Sequence, residues 1–231
     1  MQYANIHRGI FISRPGRFIA IVRIDGAEET VHVKNTGRCR ELLIPGAEVY
    51  LALSDNPARK TRYDLIGVCK ERPGTVPLII NMDSQAPNEA AAEWLPQSGL
   101  FPAGALIRRE VFCGKSRFDF RIEHGGEVTW LEVKGVTLEE NGIARFPDAP
   151  TERGVRHVRE LTELARRGER TAILFVIQMS GIRAFMPNDS THAAFGDALR
   201  EAASAGVQII ARECFVDASS ISITNPVPVC L

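Results

Sequence analysis

The chain has 231 residues, 45% of them hydrophobic and 24% charged, and a formal net charge of zero. This is an ordinary soluble globular composition, long enough for two small domains that each bury a core. It excludes a membrane-spanning helix, for which some eighteen uninterrupted apolar residues are needed, and it argues against nucleic-acid binding by bulk charge, leaving local basic faces to contact phosphate.

The amino terminus, Met1-Gln-Tyr-Ala-Asn-Ile-His-Arg-Gly-Ile-Phe11, lacks the basic, apolar and small-residue regions of a secretion signal. A cytoplasmic protein without membrane association is expected. The cysteines Cys39, Cys69, Cys113, Cys214 and Cys230 are odd in number, scattered and never in a C-x-x-C pair. Neither a disulfide framework nor a zinc cluster is indicated, and the cysteine next to the end is misplaced for a prenylation box.

The first eighty or so residues read as short strands separated by turns. Arg17 to Ile24 alternates into an Asp25-Gly26 turn and Glu28 to Lys34 returns, a hairpin signal. Glu48 to Leu53, Tyr63 to Val68 and Val76 to Asn81 complete five strands. They predict an OB-like barrel over residues 1–82, and an open sandwich gives the same pattern.

From residue 83 to 231 the pattern becomes α/β. Pro87 to Leu95 is rich in helix formers after Asn88 as a cap, and Pro96 ends it. Ala105 to Phe112 reads as a strand, followed by a hairpin from Ser116 to Lys134. Thr151 to Arg167 is an amphipathic helix with Val155, Val158, Leu161 and Leu164 on one face. Thr171 to Gln178 has the continuous apolar character of a strand buried on both faces. Ser190 to Ala205 is a further helix, and Val207 to Arg212 a last strand, so strand, helix and strand imply a parallel crossover.

The hairpin carries the chemistry. With Gly125-Gly126 as a two-residue turn, His124 pairs with Glu127, Phe120 with Leu131, and Asp119 falls opposite Glu132. Cross-strand carboxylates repel at such range, so a cation is expected between them, and Lys134 joins the same face two residues on. Two hard carboxylates suit Mg²⁺ or Mn²⁺ with coordination sites left over for water and phosphate. Such an ion polarises a phosphoryl oxygen, and a lysine steadies the attacking group or the developing charge. Aspartate followed by Glu-x-Lys on a hairpin resembles the PD-(D/E)xK motif of restriction-endonuclease-like folds. The alternative is a solvated Glu-x-Lys ion pair on a surface strand.

Other residues fit around this hairpin. Glu93, on the preceding helix, is a candidate further acidic ligand, although with Glu89 it also reads as a solvated face. Gln178 ends the buried strand and resembles the glutamine that stands beside the metal in several such nucleases. Arg153 and His157, four apart at a helix start after Asp148 and Thr151, suit phosphate, and capping by Asp148 or Thr151 explains the same cluster. Basic residues of the first domain gather at Lys34, Arg38 and Arg40 and at Arg59, Lys60 and Arg62. Phe18 and Tyr63 are the nearest aromatics, with Phe18 on the face expected to pack inward. Backbone contacts poor in sequence information are expected. No G-x-S-x-G elbow supports serine hydrolase chemistry.

Arg14-Pro-Gly-Arg-Phe18, Asn35-Thr-Gly-Arg38, Glu41-Leu-Leu-Ile-Pro-Gly46, Asn56-Pro-Ala-Arg-Lys-Thr61, Ser116-Arg-Phe-Asp-Phe120, Glu132-Val-Lys134 and Phe146-Pro-Asp-Ala-Pro-Thr-Glu-Arg-Gly154 with His157 together resemble the sugar fermentation stimulation protein A family. The resemblance implies an amino-terminal OB-like domain, a nuclease-like second domain, DNA binding without strong sequence preference, and a link to sugar, particularly maltose, utilisation. Two readings stay open. One is a metal-dependent phosphodiesterase in which Asp119 and Glu132 hold the ion, Lys134 assists, and Glu93 and Gln178 are auxiliary. The other is a non-enzymatic DNA-binding regulatory factor. A homodimer is one arrangement by which such a site cuts both strands of a duplex.

Overall fold

The structure is a computed structural model that describes residues 1–72, 74–114 and 116–231. Five strands form the first unit: β1 (Ile6–Gly16), β2 (Ile19–Ile24), β3 (Ala27–Val33), β4 (Glu48–Leu53) and β5 (Tyr63–Lys70). Neighbours pair antiparallel in the order β3-β2-β1-β4-β5, and a parallel contact of His32 with Asp64 and Val33 with Leu65 closes the ring. The alternation predicted for this region fills the barrel, with Val22, Val31, Val49, Leu51, Leu65 and Val68 all buried. Asp25 and Gly26, both at positive φ, make the tight turn between β2 and β3 that matches strand twist.

Two expectations for the barrel are corrected. β1 is a full strand that the sequence reading omits, and Val76 to Asn81 lies outside the ring. That segment contributes β6 (Leu78–Asn81), which among the described residues pairs with β5 alone. The reason is chemical: β1 buries one large side chain, Phe11, together with Gly9, so the alternation that marks a strand is weak. Its register shifts after Phe11 and again after Ser13 let one long strand bend to pair with both β2 and β4.

The second unit opens with α1 (Ala86–Trp94) and a 3-10 turn at Leu95–Gln97. A six-stranded sheet follows, made of β7 (Leu106–Cys113), β8 (Ser116–His124), β9 (Glu127–Val136), β12 (Arg170–Ile177), β14 (Gln208–Val216) and β15 (Ile221–Pro226). Their order is β15-β14-β12-β9-β8-β7, with β9, β12 and β14 mutually parallel. Between β9 and β14 lie β10 (Leu138–Glu140), β11 (Ile143–Phe146), α2 (Glu152–Arg166), β13 (Ala184–Pro187) and α3 (Asp189–Ser204). β10, β11 and β13 form a small separate sheet. These three and β15 are absent from the sequence reading: β10, β11 and β13 have three or four residues, too few to display a period, and β15 buries only Ile221 and Ile223.

One face of the large sheet carries α2 and α3, the other α1. On α2, Val155, Val158, Leu161 and Leu164 are buried as predicted, each worth about 1.5–3 kcal/mol when removed from water. Thr151 caps this helix by accepting the Gly154 N–H at 3.0 Å. Asn88 does not cap α1, whose N-cap is Gln85. Every residue from Thr171 to Ile177 is buried, as a central parallel strand requires.

The two units are tied together. The buried apolar cluster runs from Val22 and Leu65 in the barrel to Ile177 and Met179. Residues ahead of β1 leave the barrel, so Tyr3 N–H donates to Ser219 O at 2.7 Å and Ile221 N–H to Met1 O at 3.0 Å. All five cysteines are free, and no helix among the described residues is long and apolar enough to cross a membrane.

Candidate metal centre

The β8–β9 hairpin turns at Gly125-Gly126, both at positive φ, and pairs His124 with Glu127 through to Phe120 with Leu131. The register is the predicted one, and the ladder stops one step before the acidic residues. There the side chain of Asp119 replaces main-chain pairing: its Oδ2 accepts the Val133 N–H at 2.7 Å, and its Oδ1 accepts Asn88 Nδ2 at 2.8 Å. The break also turns neighbouring side chains apart. Phe118 joins the apolar cluster beneath α2, 5.9 Å from Trp130, whereas Phe120 packs on the α1 side. Two residues apart, the two phenylalanines would share one face of an unbroken strand.

Glu132 is buried, at 4% exposure. Its Oε1 meets Nδ1 of His157 at 2.5 Å and the Lys134 ammonium. Its Oε2 is buried without a hydrogen-bond partner. Burial alone raises a carboxyl's pKa, but the His157 and Lys134 contacts outweigh it and hold Glu132 below the usual carboxylate range. Asp119 goes the other way: burial first, then the negative charge of Glu132, push it up to about 6. Two carboxyls whose environments separate them in this way form one electrostatic unit.

That unit fits a divalent cation. An orphaned carboxylate oxygen in a desolvated position costs about 1–3 kcal/mol or more, and burial together with the charge of Glu132 disfavours the ionised form of Asp119. A cation placed against both removes each penalty, and the donors are the hard oxygens that Mg²⁺, Mn²⁺ and Ca²⁺ take. No cluster of three or more His, Cys, Asp or Glu side chains suited to a metal occurs among the described residues. Asp119 and Glu132 are the two carboxylates that would hold the ion, leaving further positions for other oxygens, water and phosphate among them.

The other predicted residues divide. Glu93 is not brought to this site; its side chain is 59% exposed and pairs with the Met1 ammonium. The α1 residue that reaches Asp119 is Asn88. Gln178 is buried at 2%, and its Nε2 donates to Asn81 O, Asn81 Oδ1 and Asp83 O at 3.0–3.1 Å. Its Oε1 abuts Gly135, where an added Cβ would lie 2.5 Å away. His157 is buried against Glu132 and does not face solvent. Arg153 stays exposed and reaches His157 Nε2 at 3.5 Å.

Among the basic residues, Lys34 is taken by the fully buried Asp83 at 2.7 Å, and Arg59 by Asp64 at 2.6 Å. Lys60 and Arg62 are exposed, with Arg62 over the ring of the buried Tyr63. Arg38 and Arg40 are exposed and line a cavity of about 700 Å³ together with Arg14 and Arg17, which the sequence reading does not count in its basic clusters. A second cavity of about 450 Å³ shares Arg17, Thr36 and Gly37 with the first and extends to Pro87, Gly135 and Arg153. Its wall thus ends one residue from Asn88 and one from Lys134. Phe18 does not pack inward: it sits in the β1–β2 turn, 44% exposed, with Arg17 5.4 Å from its ring centroid.

A closed five-stranded OB barrel fused to an α/β domain with a recessed acidic hairpin defines a two-domain class of protein. Residues 12–78 match the family model described as the SfsA N-terminal OB domain, and residues 85–220 match the sugar fermentation stimulation protein RE domain. The chain belongs to the sugar fermentation stimulation protein family. It is 53% identical over 229 residues to the sugar fermentation stimulation protein homolog of Ruminiclostridium cellulolyticum, covering 99% of each chain. With the homolog of Desulfitobacterium hafniense strain Y51 it shares 54% over 221 residues, covering 96% of this chain and 94% of the other. The solved structure of Pyrococcus furiosus SfsA, described as a complex with Ca²⁺, superposes with a TM-score of 0.87 at 31% identity, covering 100% of this chain and 98% of that one.

Proposed function

We propose that this protein is a DNA-binding, metal-dependent phosphodiesterase whose reaction centre is Asp119, Glu132 and Lys134. The observation that carries the reading is Glu132 Oε2, buried and unpartnered, in the field of Asp119. A divalent ion held there supplies Lewis-acid polarisation of a phosphoryl oxygen and activation of water. Asp119 is fixed by Asn88 and the Val133 N–H, and Glu132 by His157, so both carboxylates are oriented before any ion arrives. Lys134 presents an ammonium beside Glu132, placed to steady charge that develops on phosphate. The Ca²⁺ complex of the Pyrococcus furiosus relative supports an oxygen-ligated divalent ion as the cofactor, with Mg²⁺ or Mn²⁺ as the catalytic species. Free cysteines suit a reducing, cytoplasmic setting.

A second reading is favoured by the small acidic donor set: two carboxylates and no third His, Cys, Asp or Glu among the described residues. On that reading the protein grips DNA without cutting it and acts as a regulatory factor in sugar, particularly maltose, metabolism, in keeping with the names of its relatives. A cleavage time course on plasmid and single-stranded DNA in Mg²⁺, Mn²⁺ or EDTA, alongside Glu132→Ala, separates the two. Metal-dependent products that vanish in the variant are expected. Intact DNA with a folded wild-type protein bound to it establishes the second reading.

A further inference from the structure

We propose that the groove between the barrel and the α/β domain takes single-stranded DNA, with a base stacked on Phe18 and the backbone led past Arg38 and Arg40 to the acidic hairpin. The proposal rests on the phosphodiesterase reading for what happens at the end of that path, and on separate observations for the path itself.

The first is shape. The two adjoining cavities, about 700 and 450 Å³, lie in the range of sites that enclose small molecules; each takes a nucleotide or two. Glu132 lies beyond them at 4% exposure. A duplex presents its phosphates on a stiff convex cylinder that fills recesses of this size poorly. A single strand fills them better, because its backbone rotates freely and its bases splay. Gly37 narrows the passage: a Cβ there would lie 2.4 Å from Asp148 Oδ2, so the barrel loop and the Asp148 loop already touch.

The second is charge. Among the described residues, Arg14, Arg17, Arg38, Arg40 and Arg153 have no acidic partner at ion-pair distance. Arg14 is spent on structure, donating to Arg38 O and Asn35 O at 2.6 and 3.0 Å; this shapes the loop that presents Arg38 and Arg40. Asp148 is the acid in the wall, and burial pushes its carboxyl up, which weakens its repulsion of phosphate.

The third is the stacking surface. Phe18 is one of few large apolar side chains left exposed, and the guanidinium over its ring, 5.4 Å from the centroid, is that of Arg17, a residue of both cavities. An exposed aromatic with an arginine over it beside a basic groove is the combination that holds unpaired bases. One strand needs one acidic site, so this path requires no second copy of the chain.

The test is fluorescence anisotropy of the full-length protein with a labelled oligothymidylate and with a duplex of equal length, in EDTA and in Mg²⁺. Wild type is expected to bind the single strand at least tenfold more tightly. Phe18→Ala should weaken single-strand binding by about tenfold, Phe18→Tyr should restore it, and duplex affinity should not move. Equal affinity for both DNAs, or an equal loss on both in Phe18→Ala, overturns the proposal. If duplex plasmid is cut in a Glu132-dependent manner while the single strand binds no better, this path is wrong and the phosphodiesterase stands. If the strand preference and the Phe18 effect hold without any cleavage, the path stands and the phosphodiesterase reading is wrong.

Discussion

Nδ1 of His157 lies 2.5 Å from Oε1 of Glu132, and both side chains are buried. Since an ionised carboxylate only accepts hydrogen bonds, the imidazole donates, and it fixes which oxygen of Glu132 is left free for a cation. His157→Phe should therefore lower Mg²⁺ affinity by about 10–100-fold, the usual effect of losing a group that orients a metal-binding carboxylate. DNA affinity in EDTA should be unchanged, and His157→Gln should recover part of the metal affinity. Calorimetric titration with Mg²⁺ reads the first and anisotropy the second. Loss of DNA binding with metal affinity intact would return His157 to the phosphate-binding role its sequence position suggests.

The hairpin is legible in the sequence because two glycines fix its turn and alternation fixes its register, leaving only the break at Asp119 to be discovered. α1 is legible as a helix, but its rotation is not: Asn88 and Glu93 are five residues apart, on different faces at about 3.6 residues per turn. Acidity alone favours Glu93, and packing of Ala86, Ala90 and Ala91 on the sheet turns Asn88 to the site. His157 does carry a readable signal, since it stands four residues before Leu161 and seven before Leu164, on the buried stripe. The misplacement of Phe18 follows from the omission of β1. Without that strand, Arg17 and Phe18 read as the start of β2; with it, they are the turn between two strands. Lys34 and Arg59 look free in the sequence because Asp83 and Asp64 lie 49 and 5 residues away, and only the fold brings the first pair together.

The raised pKa of Asp119 sets the sign of a pH effect. Around pH 4 to 6 the folded carboxyl, at about 6, holds a proton that the unfolded chain has released at an ordinary aspartate value of about 3.9. The native state then binds more protons than the unfolded state, so without divalent ions stability falls as pH rises through this window. Glu132 has its pKa lowered, so its contribution is present above about pH 4.3 and is lost only in more acidic solution. Urea unfolding in EDTA at several pH values between 4 and 7 should show the fall, and Asp119→Asn should reduce it, leaving the part due to Asp148 and Glu41, whose carboxyls burial also raises. Added Mg²⁺ should stabilise more at pH 7 than at pH 5, because it binds the ionised form. A flat profile, or one identical in Asp119→Asn, would contradict the assignment.

Lys34 and Arg38 are four residues apart, yet they should respond oppositely to removal. Lys34 neutralises Asp83, which is fully buried, at 2.7 Å; Lys34→Met should cost about 3–5 kcal/mol, the penalty of stranding a buried charge. Arg38 is exposed beside the groove, and Arg38→Ala should leave stability within about 0.5 kcal/mol. On DNA the order reverses. Arg38→Ala should reduce the slope of log affinity against log salt by about one, whereas Lys34→Met, assayed where it is folded, should retain it. Denaturant curves and anisotropy at several salt concentrations decide both, and a salt slope that shifts in Lys34→Met would mean that this lysine contacts phosphate.

Gly135 follows Lys134 on β9 and forms the point where the groove meets the acidic hairpin. A Cβ there would lie 2.5 Å from Gln178 Oε1 and 2.6 Å from Pro87 Cγ. Neither neighbour yields easily: Gln178 is held by three acceptors in the segment between the two domains, and Pro87 is buried near the start of α1. Gly135→Ala should therefore destabilise the fold by about 1–3 kcal/mol, as overpacking does. The strain should also move Pro87 and the adjoining Asn88, loosening the hydrogen bond that holds Asp119. Mg²⁺ affinity should drop along with stability, and adding Gln178→Ala should recover neither, because the Pro87 contact remains and the buried acceptors at Asn81 and Asp83 lose their donor. If the single variant unfolds at the wild-type denaturant concentration, the backbone at Gly135 has more room than its contacts indicate, and the coupling from groove floor to Asp119 fails with it.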